Sequence, residues 1–284
     1  MAEFLEALGN PNIPFLRYAL IAGLLASISF GVIGSYVVVR RITYIAGAIS
    51  HCVLGGIGAG IYLQSVAGCA WCHPMYGAVT AALGAAILIG LVSLYARQRE
   101  DTAIGALWVV GMAVGLLFLA KTPGYVDPMS YLFGNILLIS GRDLWLMAAL
   151  DVVVVGLALV FYNKLLAVCF DEEFARVRGL NVEFYYLLLL CLSALTVVLL
   201  VTVVGVVMAV ALLTLPAAVA GQFGRRLWHM MALAVLFCML FTSAGLGLSY
   251  SYDLPTGPTI IVLAGSVYLL ITFGRRLKQT LARG

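Results

Sequence analysis

The chain has 284 residues, of which 64% are hydrophobic and only 10% are charged. Soluble domains carry about 25% charged residues, so this composition excludes a soluble globular protein and indicates an integral membrane protein. The net charge of +4 does not indicate a nucleic-acid partner, because the basic residues lie in short clusters between apolar runs. Apolar runs continue along the whole length, so we expect a single transmembrane domain over residues 1–284 and no catalytic domain.

The first segment, residues 1–14, precedes the apolar runs and includes Glu3 and Glu6. It lacks the basic stretch and the small-residue cleavage site of a signal peptide. We therefore expect it to be retained as a short amphipathic helix at the membrane interface.

Nine apolar segments follow, most of them close to the ~20 residues that span a bilayer as a helix. They cover residues 15–39, 43–64, 75–96, 102–120, 144–163, 182–203, 205–223, 228–248 and 258–273. The boundary near Gly205 is weakly marked, so eight crossings remain an alternative to nine. The stretch 129–141 is too short to span and is expected to form a re-entrant or interfacial helix on the outer side.

The second apolar segment is rich in glycine, with Gly55, Gly56, Gly58 and Gly60 close together. Small residues at such spacing let helix backbones approach closely in a membrane. The segment is therefore expected to pack tightly between other helices.

The basic clusters indicate the orientation. Thirteen of the sixteen lysines and arginines fall in five clusters that can share one side of the membrane. Because basic clusters mark the cytoplasmic side, Arg40 and Arg41 put the N-terminus outside, and Arg275 and Arg276 put the C-terminus inside. An odd number of crossings connects the two, in a bacterial-type inner membrane.

Residues 68–74 read GCAWCHP, and Cys69, Cys72 and His73 form the Cys-x-x-Cys-His pattern of c-type haem attachment. The predicted topology puts them in a short outer loop that offers neither a haem pocket nor a second axial ligand. A local disulfide is typical of an oxidising compartment. A site for a soft transition metal made by the same three residues, or an incidental role, remains open.

The longest predicted cytoplasmic loop, residues 164–181, reads KLLAVCFDEEFARVRGLN. Its acidic residues precede its arginines by three to seven positions, which suits a short exposed helix with i,i+4 ion pairs that ends at a glycine. Such a helix is suited to docking onto another protein, although a merely solvated loop would look similar. The residues concerned are Asp171, Glu172, Glu173, Ala175, Arg176, Arg178 and Gly179.

Residues 170–223 resemble the ABC-type permeases for zinc, manganese and ferrous iron. These permeases have an acidic pair, an alanine and a glycine before a long apolar run that ends in Leu-x-x-Pro-Ala-Ala-x-Ala, here Leu213 to Ala220. Four other stretches resemble the same family in the same order. They read GVIGSYVVVRRITYIAGAISHCVLGGIGAG, REDTAIGALW, SYLFGNIL and DLPTGPTIIVL.

The resemblance implies an all-α permease of the type II ABC importer architecture. Two copies would form a homodimer around a central path, with cytoplasmic ABC ATPase subunits on one side and an extracytoplasmic metal-binding protein on the other. The loop 164–181 would then be the coupling loop received by the ATPase. The chain has no Gly-x-x-x-x-Gly-Lys-Ser/Thr phosphate loop, so we expect ATP hydrolysis on the partner and no enzymatic activity or permanent cofactor here.

His51 lies within the second apolar segment. An ionisable group at membrane depth by default marks a pathway, and imidazole is a common ligand of transition metals. In the resembling permeases the matching stretch reads Gly-Asp-Ala-Leu-Ser-His, and its Asp and His line the path. Here Gly47 takes the place of that Asp, and Ser50 and Cys52 point about 100° away on a helix. We expect a weak metal site at His51, completed by water.

Asp151 lies within the fifth apolar segment, two helical turns from Asp143. This position suggests a place near the outer interface rather than a buried one, and a structural role.

These observations predict the membrane subunit of an ATP-driven importer of a divalent transition metal ion, zinc, manganese or iron(II), that works by alternating access. Three alternatives remain. One is a permease of the same architecture for a metal chelate or siderophore, and another is a secondary cation carrier without an ATPase. The third is a membrane-bound redox enzyme built on the Cys-x-x-Cys-His pattern. The sequence does not identify the metal.

Overall fold

The computed structural model describes residues 2–9, 14–69, 71–95, 100–123, 132–134 and 139–281. All regular elements in these ranges are helices. They are α1 (Ala2–Gly9), α2 (Pro14–Arg40), α3 (Thr43–Ser65), α4 (Pro74–Tyr95), α5 (Glu100–Lys121), α6 (Gly141–Val160), α7 (Tyr162–Phe170), α8 (Glu172–Val177), α9 (Val182–Val204), α10 (Val206–Ala220), α11 (Leu227–Tyr252) and α12 (Thr256–Leu281).

Seven of these helices are long and apolar enough to cross a membrane. They are α2, α3, α4, α5, α6, α11 and α12. The predicted segments 182–203 and 205–223 correspond to two further apolar helices, α9 and α10. The all-helical membrane fold is therefore confirmed, while nine complete crossings stay a prediction.

The break between α9 and α10 falls at Gly205, whose φ is +84°. A Cβ atom on Gly205 would stand 2.5 Å from the carbonyl oxygen of Leu132. Both the left-handed backbone and this close approach require glycine, so the two apolar segments are separate helices. Leu132–Gly134 belong to the predicted short outer helix at 129–141, most of which lies outside the described residues.

The helices form two packed groups. In one, α3 lies between α4 and α5; in the other, α2 packs against α6, α10 and α11, and α12 packs on α10 and α11. Helix α9 contacts members of both groups. Of the spanning candidates, α2 and α3 are the most buried, and α5 and α12 are the least.

Glycine allows the close packing of α3, as predicted. A Cβ atom on Gly55 would stand 2.9 Å from the carbonyl oxygen of Gly111 on α5, and one on Gly58 would stand 2.5 Å from that of Gly115. Gly56 meets the backbone of Gly77 on α4 in the same way. Because backbones touch on two sides, α3 is held in place between its neighbours.

The turn from α2 to α3 is short. Arg41 adopts a left-handed φ of 62°, and the amide of Ile42 donates to the carbonyl oxygen of Val37 at 3.0 Å. Helix α3 therefore begins directly beside the end of α2, at the end of the bundle that also carries Arg225 and Arg226 before α11. We call this the basic end, and the end with Cys69 and Cys72 the disulfide end.

Helix α1 forms as predicted and packs onto the bundle. Phe4 is buried with its ring centroid 6.1 Å from that of Tyr250 on α11. The Arg17 Nε donates to the carbonyl oxygen of Leu8 at 2.7 Å. These contacts hold α1 against the first long helix; its place at a membrane interface stays a prediction.

Asp151 is buried within the bundle, and the expectation that it is not buried is wrong. It is only 5% exposed and shares the buried face of α6 with Met147, Val154 and Ala158. This face meets α2, where the Tyr36 hydroxyl donates to the carbonyl oxygen of Ala158 at 3.3 Å. The distance from Asp143 along the chain does not predict burial, because the helical period decides which side chains face the neighbouring helices.

Candidate functional sites

His51 lies in the middle of α3, on a face that it shares with Tyr44 and Gly47. Trp108 of α5 covers this face. Its indole stacks on the His51 imidazole with ring centroids 4.7 Å apart and an interplanar angle of 24°. The same indole lies against Tyr44, with centroids 5.4 Å apart. The imidazole is therefore one member of an aromatic stack between two helices.

Gly47 makes room for the indole. A Cβ atom at this position would stand 2.8 Å from Cζ3 and 2.9 Å from Cη2 of Trp108, closer than side-chain carbons approach one another. The absent carboxylate was visible in the sequence, but the ring that fills its space was not. A single tryptophan in an apolar segment carries no signal that distinguishes it from other buried aromatic residues.

The donor atoms around His51 are few. Its Nδ1 is buried and has no hydrogen-bond partner among the described residues. Leaving a buried polar atom unpaired costs about 1–3 kcal/mol. The Ser50 hydroxyl donates to the carbonyl oxygen of Gly47 at 2.6 Å, and the Cys52 thiol donates to that of Leu107 at 3.4 Å. Both groups are engaged away from the imidazole.

Within the described ranges, no three His, Cys, Asp or Glu side chains come together in a way that could hold a metal ion. The fold therefore does not bring His51 together with Cys69, Cys72 and His73. A complete coordination shell at His51 would need ligands from another chain or from water.

Two cavities approach the His51–Trp108 pair from opposite sides. A groove of about 670 Å³ extends from Trp71 and Cys72 at the disulfide end to Cys52 and Leu107. A cavity of about 530 Å³ reaches Trp108 from the basic end. Its wall includes Arg41, Tyr44, Trp108, Thr214 and Tyr268. His51 lines neither space, and the indole of Trp108, which stacks on the imidazole, lines the second cavity.

At the disulfide end, Cys69 and Cys72 form a disulfide with their Cα atoms 5.4 Å apart. His73 directs the start of α4: its Nδ1 accepts a hydrogen bond from the amide of Met75 at 3.2 Å, and its carbonyl oxygen accepts one from the amide of Tyr76 at 2.9 Å. With the sulfurs bonded to each other, neither is a thiolate. A metal or haem at this loop would first require reduction of the disulfide.

The predicted coupling loop contains α7 and α8. The Asp171 carboxylate caps α8 by accepting a hydrogen bond from the amide of Phe174 at 2.9 Å. Helix α8 ends at Val177, and the predicted glycine at its end is Gly179, whose φ is +76°. The amide of Leu180 donates to the carbonyl oxygen of Ala175 at 3.0 Å. Burial raises the pKa of the Cys169 thiol on α7 to about 12, so this cysteine is unreactive.

The expected i,i+4 ion pairs within this loop do not form at Glu172. Its carboxylate instead pairs with the guanidinium of Arg40, the last residue of α2. Among the described residues, the Arg40–Glu172 pair is the one ion pair that involves this loop. The reason is tertiary: α8 lies beside the basic end of α2, and the guanidinium of Arg40 also lies 5.5 Å from the ring centroid of Tyr186 on α9.

One face of α8 is anchored and the other is exposed. Ala175 is fully buried, whereas Val177 is 88% exposed. The guanidinium of Arg178 lies 4.9 Å from the ring centroid of Phe174, and both residues are exposed. Glu173, Arg176 and Arg178 thus remain on an accessible surface of mixed apolar and charged character.

The comparisons with known proteins agree with this architecture. Residues 12–275 match the family model of the ABC 3 transport family. The chain is 38% identical to a probable metal transport system membrane protein of Chlamydia trachomatis, over 90% of this chain and 88% of that protein. It is 36% identical to the manganese transport system membrane protein MntC of Halalkalibacterium halodurans, over 91% and 87% of the two chains.

A solved structure is also similar to this chain. PsaBC from Streptococcus pneumoniae, determined in complex with a Fab, superposes with a TM-score of 0.83 at 31% identity, over 95% of this chain and 94% of that chain. The family model, which matches residues 12–275, includes the helix that carries His51 and the loop that carries α8. This chain belongs to the ABC 3 transport family of membrane permeases.

Proposed function

We propose that this protein is the membrane subunit of an ATP-driven importer of a divalent transition metal ion. The observation that carries this function is His51, an imidazole with an unpaired Nδ1 on the most closely packed helix of a chain that belongs to the ABC 3 transport family. Imidazole nitrogen binds zinc, ferrous iron and related ions. The relatives named for manganese or metal transport support a metal ion as the substrate.

The working assembly is a homodimer of type II architecture with nine crossings per chain. The N-terminus lies outside, the C-terminus lies in the cytoplasm, and the chain resides in a bacterial-type inner membrane. Separate ABC ATPase subunits bind at the basic end and hydrolyse ATP. An extracytoplasmic metal-binding protein delivers the ion at the disulfide end.

The exposed surface of α8 is the part of the chain that the ATPase receives. Glu172 connects α8 to Arg40, and Arg40 lies three residues before the start of α3. Movement of α8 therefore acts directly on the turn between α2 and α3. His51 follows two helical turns later, so the coupling loop and the candidate metal ligand are joined by one ion pair and one short stretch of helix.

Uptake by the reconstituted complex tests this function. The permease, its ATPase and its binding protein are placed in liposomes, and the initial uptake of zinc, manganese and ferrous iron is measured with and without ATP. We expect ATP-dependent uptake of at least one ion, and we expect His51→Ala to reduce it by about 10–100-fold, the usual effect of disturbing a metal site.

His229 provides the matched control. It is an exposed histidine on α11 that lies against Trp228, away from α3. Because His229 lies at the basic end, uptake is normalised to the rate of ATP hydrolysis, and on that scale His229→Ala should equal the wild type. Uptake without ATP or without the ATPase would instead indicate a secondary carrier, and stimulation of ATP hydrolysis by a chelate but not by a free ion would indicate a chelate permease.

A further inference from the structure

The pairing of Gly47 with Trp108 bears on which metal the path accepts. Building on the importer function above, we propose that Trp108, admitted by Gly47, is a specificity-determining residue of the path. It withholds an oxygen ligand from His51 and so favours ions that bind through imidazole nitrogen, zinc foremost, over manganese.

The first step is steric. Gly47 lies one helical turn before His51 on the same face of α3, so a side chain there would stand beside the imidazole. The indole of Trp108 already fills that volume, because a Cβ atom at position 47 would be 2.8 Å from its Cζ3. Tyr44 and His51 flank the indole through ring contacts on the same helix face. A side chain at position 47 therefore requires the indole to move.

The second step concerns the ligands that remain. His51 itself lines neither the groove that ends at Cys52 nor the cavity that ends at Trp108. Among the described residues, the walls of these two neighbouring spaces contain no aspartate or glutamate that could reach toward the imidazole. The cavity wall does contain Arg41, whose positive charge repels cations. The Ser50 hydroxyl and the Cys52 thiol donate to backbone carbonyl groups instead. The imidazole nitrogen of His51 is the ligand that this face of α3 offers.

The third step is the preference of the ions. Manganese binds through carboxylate, carbonyl and water oxygens, whereas zinc, copper, nickel and ferrous iron bind well to imidazole. At a nitrogen site without a carboxylate, manganese is also the weakest binder of the divalent first-row series. When a metal binds the imidazole, the ring gains positive charge, which the indole face above it attracts. Trp108 thus both removes the oxygen ligand and stabilises a charged imidazole.

Two double variants test this arrangement. In Gly47→Asp/Trp108→Leu the indole is removed and a carboxylate is added beside His51. In Gly47→Ala/Trp108→Leu the same space is opened without a carboxylate, so the second variant is the control for packing. Both are reconstituted with the same ATPase and binding protein, and the ATP-dependent initial rates for zinc and manganese are measured separately at equal concentration.

The readout is the ratio of the manganese rate to the zinc rate. We expect this ratio to be about tenfold higher in Gly47→Asp/Trp108→Leu than in Gly47→Ala/Trp108→Leu, in line with the effect of ligand-shell changes on metal affinity. Because the binding protein is the same in both, the difference belongs to the permease. Equal ratios in the two variants would overturn the role of Gly47 and Trp108. Absence of ATP-dependent metal uptake by the wild type would instead contradict the proposed importer function.

A binding measurement tests the same proposal if Gly47→Asp/Trp108→Leu does not assemble with the ATPase. The tryptophan fluorescence of the detergent-purified wild-type complex is titrated with zinc and with manganese, and the response of Trp108→Phe is subtracted. We expect a zinc-dependent change from Trp108 and little change with manganese at the same concentration. Manganese is paramagnetic and would quench a nearby indole if it bound, so an equal or stronger response to manganese would contradict the preference for zinc.

Discussion

The packing around α3 and the loop around α8 follow different physical rules. At α8 the ends of the helix are set by neighbours in sequence: Asp171 caps its start, and Gly179 closes it in a left-handed conformation. At α3 the decisive contacts come from other helices, with the backbones of α4 and α5 on two sides and Trp108 over His51. The shape of the loop is local, whereas the environment of the candidate metal ligand is set entirely by tertiary contacts.

This difference has a consequence for how the two regions respond to change. A packed membrane interior has no room for an added side chain, because its density matches that of an organic crystal. An exposed loop helix loses only the single interaction that is removed. Substitutions at three places test this contrast, and each place is expected to affect stability less than the one before.

The largest effect is expected at the contact between α3 and α4. Gly56→Val places a side chain against the backbone of Gly77 on α4. Helix α3 cannot shift away from α4, because its other side is in contact with α5. Overpacking typically costs about 1–3 kcal/mol and sometimes more, and we expect the upper end here. Size-exclusion chromatography and thermal unfolding in detergent measure the loss of folded permease.

Gly84 supplies the control for this change. It lies on α4, and a Cβ atom there would meet nothing within 4 Å. Gly84→Val should therefore leave the elution profile and the melting temperature close to those of the wild type. Similar losses at both positions would show that glycine in these helices matters for a reason other than close packing.

A smaller effect is expected at the disulfide end of α3. Cys69→Ser/Cys72→Ser opens a loop closed by a disulfide over a sequence separation of three, which by the chain-entropy relation contributes roughly 2 kcal/mol. We expect a lower melting temperature under oxidising conditions and unchanged metal uptake. Loss of uptake in a folded variant would support the alternative that Cys69, Cys72 and His73 bind the metal.

The smallest effect on stability is expected at the ion pair of α8. Arg40→Gln and Glu172→Gln each remove a pair whose side chains are 24% and 35% exposed, and such pairs contribute about 0–1 kcal/mol. If the pair carries motion from α8 to α3, ATP-dependent uptake should nevertheless fall several-fold while the melting temperature changes little.

Exchanging the two charges sharpens this test. Arg40→Glu/Glu172→Arg restores an ion pair with the acidic and basic residues exchanged between the two positions. We expect uptake to recover at least in part. A double variant that is no better than either single variant would show that the side chains act separately. Wild-type rates of ATP-dependent uptake in both single variants would show that the ion pair does not take part in coupling.

The elements that the sequence predicted share a common property. The apolar segments, the cap at Asp171 and the turn at Gly179 each depend on residues within one helix or one turn, so they can be recognised without knowing the fold. The glycines of α3 belong here as well, because their spacing indicates a close contact even though it does not identify the partner. The family was recognised in the same way, from ordered stretches such as Leu213 to Ala220.

The predictions that were wrong required knowledge of a distant neighbour. Glu172 was expected to pair with an arginine on its own helix, yet its partner Arg40 is 132 residues away in the chain. Asp151 was expected not to be buried, yet it is only 5% exposed. The replacement of the family's carboxylate by Gly47 stays a prediction, and Trp108, which lies against Gly47, is on a different helix.

The sequence by itself determined that this chain is a helical membrane protein, where most of its helices lie and to which family it belongs. It did so because hydropathy acts over windows of about 20 residues and capping acts over three or four. Only the tertiary structure decided that an indole covers His51, that α8 is fastened to α2 and that Asp151 is buried. Those outcomes depend on which helix faces meet, and in a membrane that choice is made by shape and close backbone contact, since nearly every face is apolar.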